Sequence, residues 1–281
     1  MDPLLYEILH GGSLVLLFMF MLFVAKVIND LITPYQVDEE LTEKDNVALA
    51  TSIAGYLCAN AIIFIGAFLG PSRGIVQDLL DVGGYCLLGI VLLNLSRLIN
   101  DRLILYQFSN FKEIIVDRNA GTGAVQLGSY VASGLIVAGA IHGQGGGVVT
   151  ALAFFGLGQM ALIGFAWIYN RITPFDIHEE IEKDNVAAGA AFGGSLVAVG
   201  IILMKGASGN FVDWNTNLAI FGQDAAIVLV FIPLVRFFFD KVMIPKTDLN
   251  KEIQEDQNLG AGLLESTVAI SFATILFFAL G

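Results

Sequence analysis

The chain has 281 residues, of which 56% are apolar and only 14% charged, and its formal net charge is −12. A soluble domain carries about 25% charged residues, so this composition argues against a soluble protein and indicates an integral membrane protein. The acidic balance argues against nucleic acid and acidic lipid headgroups as partners, and instead suits cations or a basic protein surface.

Eight apolar blocks are long enough to cross a bilayer, because about 20 helical residues span about 30 Å of hydrocarbon. Helices are favoured because backbone polar groups in lipid need internal partners, and the blocks lack the strict alternation of barrel strands. The sequence therefore predicts an all-α polytopic membrane protein. The predicted spans are residues 12–33, 46–69, 77–101, 119–142, 147–172, 185–205, 216–241 and 258–280.

The basic residues predict the orientation. If the loops after the odd-numbered spans share one side, that side holds 12 of the 14 Lys and Arg residues, and only Arg73 and Lys205 lie on the other. Lys and Arg are retained in the cytoplasm during insertion, so these loops are predicted to be cytoplasmic and both termini periplasmic.

The chain contains a long internal repeat. Residues 97–123 match residues 236–262 at a constant shift of 139 positions. This match predicts a duplication with two halves of four spans each, residues 1–142 and 143–281.

A weaker repeat divides each half into two hairpins. Every predicted cytoplasmic loop carries a Glu five or six positions before an Asn, and an Asp one or two positions before it. The motif consists of Glu40, Asp45 and Asn46; Glu113, Asp117 and Asn119; Glu180, Asp184 and Asn185; and Glu252, Asp256 and Asn258. We expect four hairpins with parallel pseudo-symmetry about the membrane normal, with the two-fold relation of the halves extended to an approximate four-fold one.

Each loop is also predicted to contain a short amphipathic helix in the inner interface, because apolar residues recur four positions apart. The pairs are Val37/Leu41, Phe111/Ile115, Ile177/Ile181 and Leu249/Ile253. The Asp and Asn that follow are placed to accept hydrogen bonds from the free N–H groups that open the next span.

The strings EKDNVALA at 43–50 and EKDNVAAG at 182–189 open Gly- and Ala-rich spans. With this motif the chain resembles the bacterial membrane family called domain of unknown function 350, over essentially its whole length and as two tandem copies. The resemblance implies a multi-pass inner-membrane protein, encoded in some bacteria near envelope-stress coiled-coil proteins and amide-ligase-like enzymes. It implies no activity and no binding residues.

The repeated acids and amides have two interpretations. They form a ring around a cytoplasmic pore mouth that concentrates cations, or they cap helices and solvate loops. Polar residues also end the odd-numbered spans, where neighbouring Arg102 and Lys241, or Arg97 and Arg236, are placed to form interfacial ion pairs. These helix-end residues are Asp30, Asp101, Asn170 and Asp240.

Polar groups within the spans are the candidates for a pore or ion site, because ionisable groups at membrane depth are costly. Glu265 is the first choice, as a cation ligand or a protonatable switch, and Gln126 is its repeat partner. The alternative is a neutral Glu265 hydrogen-bonded to a neighbouring helix. Asp81 and Asp224 lie in the outer parts of their spans, where they can also reach the outer interface.

No Cys/His spacing indicates a metal site, and no motif indicates an enzyme or a cofactor. We therefore predict a channel or carrier for a cation or small solute, with a path near the pseudo-axis. The alternative is a scaffold that docks a peripheral envelope-stress protein on its cytoplasmic loops. The partners expected are the lipid bilayer, cations and such a protein; the oligomeric state stays open.

Overall fold

The computed structural model describes residues 2–70 and 72–280, which form helices and no strands. Eight helices are long and apolar enough to cross a membrane, which confirms the predicted all-α class and the number of spans. They are α1 (Pro3–Ile32), α3 (Val47–Phe68), α4 (Ile75–Ile99), α5 (Ala120–Ile141), α6 (Val148–Ile172), α8 (Val186–Ala207), α9 (Trp214–Phe238) and α11 (Leu259–Ala279).

Three helices are longer than the apolar pattern predicts. Helix α1 begins at Pro3 because the Asp2 side chain accepts from the Leu4 N–H at 3.0 Å, and proline suits the first turn. Helices α4 and α9 each continue into a π-helical turn, Asn100–Ile104 and Phe239–Met243, which carries them past the polar residues where the predicted spans stop.

The core is a row formed by α3, α5, α8 and α11, each packed against the next in chain order. Small residues permit the backbones to come very close. A methyl group placed on Gly123 of α5 would lie 2.6 Å from the Ala48 carbonyl oxygen of α3. One placed on Gly128 would meet the backbone of Gly193 in α8.

Helices α1, α4, α6 and α9 pack around this row and carry much of the exposed apolar surface. The most apolar stretch of α8 is 72% buried, whereas that of α1 is 17% buried. Helix α8 is therefore central, and α1 lies at the periphery, where its large apolar side chains suit contact with lipid.

Four short helical segments follow α1, α4, α6 and α9. They are α2 (Val37–Thr42), a π-helical turn (Lys112–Val116), α7 (Ile177–Glu182) and α10 (Leu249–Gln254), which confirms the four short helices predicted from apolar spacing. Contacts between consecutive segments, described below, place all four on one face of the bundle, which we call the short-helix face. The symmetry axis along the membrane normal stays a prediction.

Candidate functional site

The repeated asparagines cap the four helices of the row. Each side-chain oxygen accepts from a backbone N–H in the first turn that would otherwise lack a helical partner. The bonds run from Leu49 to Asn46 (3.0 Å), Thr122 to Asn119 (2.8 Å), Ala188 to Asn185 (3.0 Å) and Ala261 to Asn258 (3.3 Å). Capping by these asparagines is thus confirmed.

The amide groups of the first three asparagines also join neighbouring hairpins. Each donates to the Glu carboxylate of its own loop and to a backbone carbonyl in the next loop along the chain. The carbonyl acceptors are Ile114 for Asn46 (2.8 Å), Ile181 for Asn119 (2.6 Å) and Ile253 for Asn185 (2.8 Å). We call this repeated arrangement the hairpin joint.

The fourth asparagine stands at the end of the row. Asn258 donates to Glu252 at 2.8 Å, as its counterparts do, but among the described residues it makes no bond to another loop. Its side chain is exposed, whereas Asn46, Asn119 and Asn185 are at most 1% exposed. The motif thus has one copy whose joint is incomplete in a single chain.

The motif aspartates have several roles. Asp45 and Asp184, with φ of 50° and 59°, occupy the left-handed backbone position just before the asparagine, which Asp tolerates better than most residues. The Asp184 side chain accepts from Gly121 N–H in the neighbouring hairpin at 3.3 Å. Asp117 instead pairs with Lys112 at 2.8 Å.

The motif glutamates are engaged in the joints. The hydrogen bond from Lys44 holds the pKa of Glu40 below its usual value, despite the cost of burial, whereas burial raises the pKa of Glu113. Glu180 pairs with Lys183 at 3.1 Å. Because the motifs follow a row with α3 and α11 at its ends, one copy does not close the ring of carboxylates expected from the sequence.

The polar residues that end the odd-numbered spans mostly hold the short helices. Asp240 accepts from the Leu249 N–H at 3.0 Å, and Asn170 accepts from the Ile177 N–H at 2.7 Å. Asp101 accepts from Asn110 at 2.6 Å, at the start of the second short segment. Two of these residues also form ion pairs: Asp240 with Lys241 (2.6 Å), as predicted, and Asp30 with Lys26 (2.7 Å).

Glu265 lies in a buried polar cluster between α6, α9 and α11. Its carboxylate is paired with Arg236 and accepts from the Tyr169 hydroxyl at 3.2 Å. Arg236 also donates to Tyr169 at 2.8 Å, and its other nitrogen donates to Asn250 of α10 at 2.9 Å. We call Glu265, Arg236 and Tyr169 the buried triad. The second carboxylate oxygen of Glu265 has no hydrogen-bond partner among residues 2–70 and 72–280.

The first half lacks this ion pair, because Gln126 replaces Glu265 at the equivalent position. Gln126 accepts from the Ser52 hydroxyl at 2.6 Å and so links α5 to α3. The side chain of Arg97, the counterpart of Arg236, donates to the Tyr35 hydroxyl at 3.5 Å and forms no ion pair with another described residue. The halves therefore differ in charge at the same depth.

The two remaining candidate acids lie towards the face opposite the short helices. Asp224 is 2% exposed and pairs with Lys205 at 3.2 Å. Asp81 pairs with Arg73 at the rim of a crevice of about 680 Å³ that His10 also lines. The structure thus separates both acids from Glu265 and gives each its own basic partner.

Sequence reasoning missed two members of the triad. Arg236 was an alternative to Lys241 as the expected partner of Asp240, but its side chain is engaged with Glu265 instead. Tyr169 offered no signal beyond its place near the end of an apolar span. Within residues 2–70 and 72–280, no group of three His, Cys, Asp or Glu side chains could hold a metal ion.

Comparison with known proteins identifies relatives along the whole chain. The Domain of Unknown Function (DUF350) matches twice, at residues 3–141 and 145–280. A UPF0719 transmembrane protein of Aquifex aeolicus is 25% identical over 256 residues, which cover 88% of this chain and 90% of the relative.

The UPF0719 transmembrane protein YshE of Bacillus subtilis is 20% identical over 129 residues, covering 46% of this chain and 91% of the relative. That relative is therefore about half as long as the present chain. No solved structure matches the chain.

Proposed function

The chain belongs to the Domain of Unknown Function (DUF350) family, and we propose that it carries a cation or small solute across the bacterial inner membrane. In this proposal the short-helix face lies in the cytoplasm and both termini lie in the periplasm. The proposal involves no catalytic step. The buried triad is the observation that carries it.

The triad supports transport because charged side chains are expensive at membrane depth and usually mark a path for ions or substrates. Glu265 lies seven residues after Asn258, which is about 10 Å along the helix. It is 3% exposed, and one of its carboxylate oxygens has no hydrogen-bond partner in the part of the chain that the structure describes. That oxygen could accept a proton, a cation or a solute hydroxyl group.

Hydrogen bonds link the triad to the short-helix face. Arg236 connects Glu265 to Asn250, which lies on α10 at that face and is only partly buried. A shift of Asn250 would release one side of the guanidinium and weaken its hold on the carboxylate. This connection supports access to Glu265 from the proposed cytoplasmic side.

A carrier fits this arrangement better than a permanently open channel. Arg236 neutralises Glu265, so a cation would bind there only if the pair separated or the carboxylate rotated away. The row of α3, α5, α8 and α11 is also packed backbone to backbone at its glycines. Transport therefore requires a conformational change that opens the triad.

Flux measurements with purified protein in lipid vesicles test the proposal. Vesicles with and without protein are compared for H⁺, Na⁺, K⁺, divalent cations and small polar solutes. We expect protein-dependent flux of at least one of these, and Glu265→Gln should reduce it. Glu7→Gln is the matched control, because it makes the same change at an exposed position of α1. Equal flux with and without protein across this panel would refute the proposal.

A scaffold is the second candidate, favoured by exposed acids on the short-helix face. The side chains of Glu43, Glu182 and Glu255 are exposed and take no part in the joints, so they could attract a basic protein surface. Reversal of these three charges to Lys should abolish capture of such a peripheral protein. If that change removes a partner while wild-type vesicles show no flux, the scaffold replaces the carrier.

A further inference from the structure

The hairpin joint occurs three times within one chain, always in the same direction. In each joint an asparagine of one hairpin donates to the carbonyl that follows the motif glutamate of the next hairpin. The donor and acceptor surfaces are therefore different, and each middle hairpin uses both. Such head-to-tail contacts can continue for as long as another hairpin is available.

The helices of the row repeat the same directional contact. In each contact, the fourth residue after a motif asparagine lies against the second residue after the motif asparagine of the preceding hairpin. The contact pairs are Gly123 with Ala48, Gly189 with Gly121, and Gly262 with Ala187. The hairpin joint and this contact between row helices together form one interface, which occurs three times within the chain.

The donor end of the row is left open. The Asn258 side chain is exposed, and Gly260, which corresponds to Ala48, Gly121 and Ala187, is also exposed. A methyl group on Gly260 would approach only the Asn258 side-chain oxygen, at 3.1 Å, within the part of the chain that the structure describes. No packing partner within one copy requires a glycine at this position.

The acceptor end is open in the complementary way. Leu41 follows Glu40 as Ile114 follows Glu113, but no other hairpin donates to its carbonyl among the described residues. Ala50, which corresponds to Gly123, Gly189 and Gly262, is exposed together with Ala54 and Cys58 on one stripe of α3. Among the described residues, the acceptor end therefore offers a free carbonyl and small residues, which match the exposed asparagine and glycine of the donor end.

We propose that copies of this chain associate head to tail in the membrane, with α11 of one copy packed against α3 of the next. Asn258 then donates to the Leu41 carbonyl of the neighbouring copy, and Gly260 packs against Ala50. The partner is a second copy because its surface reproduces an interface that the chain already forms three times.

Two differences from the internal interfaces set the strength of this contact. Ala50 occupies a position that is glycine in the other three row helices, and Thr267 occupies the position of Gly55, Gly128 and Gly194. These larger side chains keep α11 and α3 further apart than the internal pairs. The association is therefore weaker than the internal packing and reversible on dilution in detergent.

The half-length Bacillus relative is consistent with this arrangement. In the present chain, Asn119 and Ile181 form the joint between the two matched copies of the family domain. A chain with one copy of the domain can form an equivalent joint only with a second molecule. Fusion of two copies would make one such contact intramolecular and leave the outer ends unchanged.

Cysteine cross-linking between differently tagged chains tests the direction of the contact. In a background with Cys58→Ala and Cys86→Ala, one chain carries Gly260→Cys and the other Ala50→Cys. The two are co-expressed, and their membranes are oxidised before solubilisation. We expect a disulfide-linked dimer that contains both tags, and little product when either variant is expressed alone.

Copy number in lipid particles excised without detergent provides the second measurement. We expect more than one copy per particle for the wild type and single copies for Gly260→Leu. Gly222→Leu is the matched control, because Gly222 is an exposed glycine on α9 with open space above it, and its particles should resemble the wild type. Single copies in wild-type particles, no mixed-tag dimer, or equally strong cross-links within one variant would each overturn the proposal.

Discussion

At the residue scale, Asn185 shows how one side chain stabilises two hairpins. It is fully buried, caps α8, and donates to both Glu180 and the Ile253 carbonyl. An unpaired buried carbonyl costs about 1–3 kcal/mol, and loss of a cap costs about 0.5–2 kcal/mol. Asn258 caps α11 in the same way, but among the described residues it has no second hairpin to bond to.

Asn185→Ala should therefore lower the free energy of unfolding by roughly 2–4 kcal/mol, because it removes the cap and orphans the Ile253 carbonyl. Asn258→Ala should cost roughly 1 kcal/mol, since it removes the cap and an exposed hydrogen bond to Glu252 but no bond to a second hairpin. Unfolding of both variants is measured in detergent at a dilution where single copies prevail. If the two variants lost the same free energy of unfolding, the hairpin joint would contribute little to stability.

The buried triad leads to a second prediction. Arg236→Ala leaves the Glu265 carboxylate buried without its counter-charge and should destabilise the protein by about 3–5 kcal/mol. The double variant Arg236→Met with Glu265→Gln should recover most of this loss, because no buried charge remains. Unfolding of the single and double variants checks this, and a double variant as unstable as the single one would contradict the ion-pair account.

At the element scale, close approach of α5 and α8 depends on glycine. A methyl group on Gly189 would collide with the backbone of Gly121, and backbone cannot move aside as a flexible side chain can. On α9, by contrast, Gly222 has open space above it. Substitutions at Gly189 and Gly222 therefore distinguish the packing role of glycine from its low helix propensity.

Gly189→Ala should thus destabilise the protein by about 1–3 kcal/mol through overpacking. Gly222→Ala should be neutral or stabilising by up to about 1 kcal/mol, because alanine is the better helix former. Thermal unfolding of the two variants under one detergent condition is the measurement. A Gly189→Ala variant as stable as the wild type would mean that the row is less tightly packed than described.

The elements were predictable because their signals are local. Apolar run length located all eight spans, and the i, i+4 pairs such as Ile177 and Ile181 located the short helices. The early start of α1 was missed because Glu7 and His10 interrupt the apolar pattern, although Asp2 and Pro3 form a good helix start. The π-helical turns were missed because side-chain periodicity does not distinguish them from the end of an α-helix.

The site was predictable only in part, because its partners are distant in sequence. The motif asparagines were recognised as caps, but their bonds to Ile114, Ile181 and Ile253 cross between hairpins and leave no local trace. The depth of Glu265 in its span marks it as a candidate, whereas its partner Arg236 was expected only as an alternative partner for the nearer Asp240.

At the scale of the whole molecule, the four loops share one face because each hairpin repeats the same up-and-down path. The joints between successive loops then stack α3, α5, α8 and α11 into a directional row with unlike ends. The carrier proposal, the scaffold alternative and self-association all depend on this shared face. The division of the chain into two repeat halves at residues 142 and 143 stays a prediction.

The most direct test of this architecture is accessibility labelling of single cysteines in a Cys58→Ala, Cys86→Ala background. One exposed position per loop is used, Glu43, Lys112, Glu182 and Glu255, with Gln144 and Asn215 for the opposite face. Intact cells and inside-out vesicles are treated with a membrane-impermeant maleimide. The account predicts that all four loop cysteines react only in inside-out vesicles, and Gln144→Cys and Asn215→Cys only in intact cells. Reaction of the Lys112 and Glu182 positions from opposite sides would contradict it.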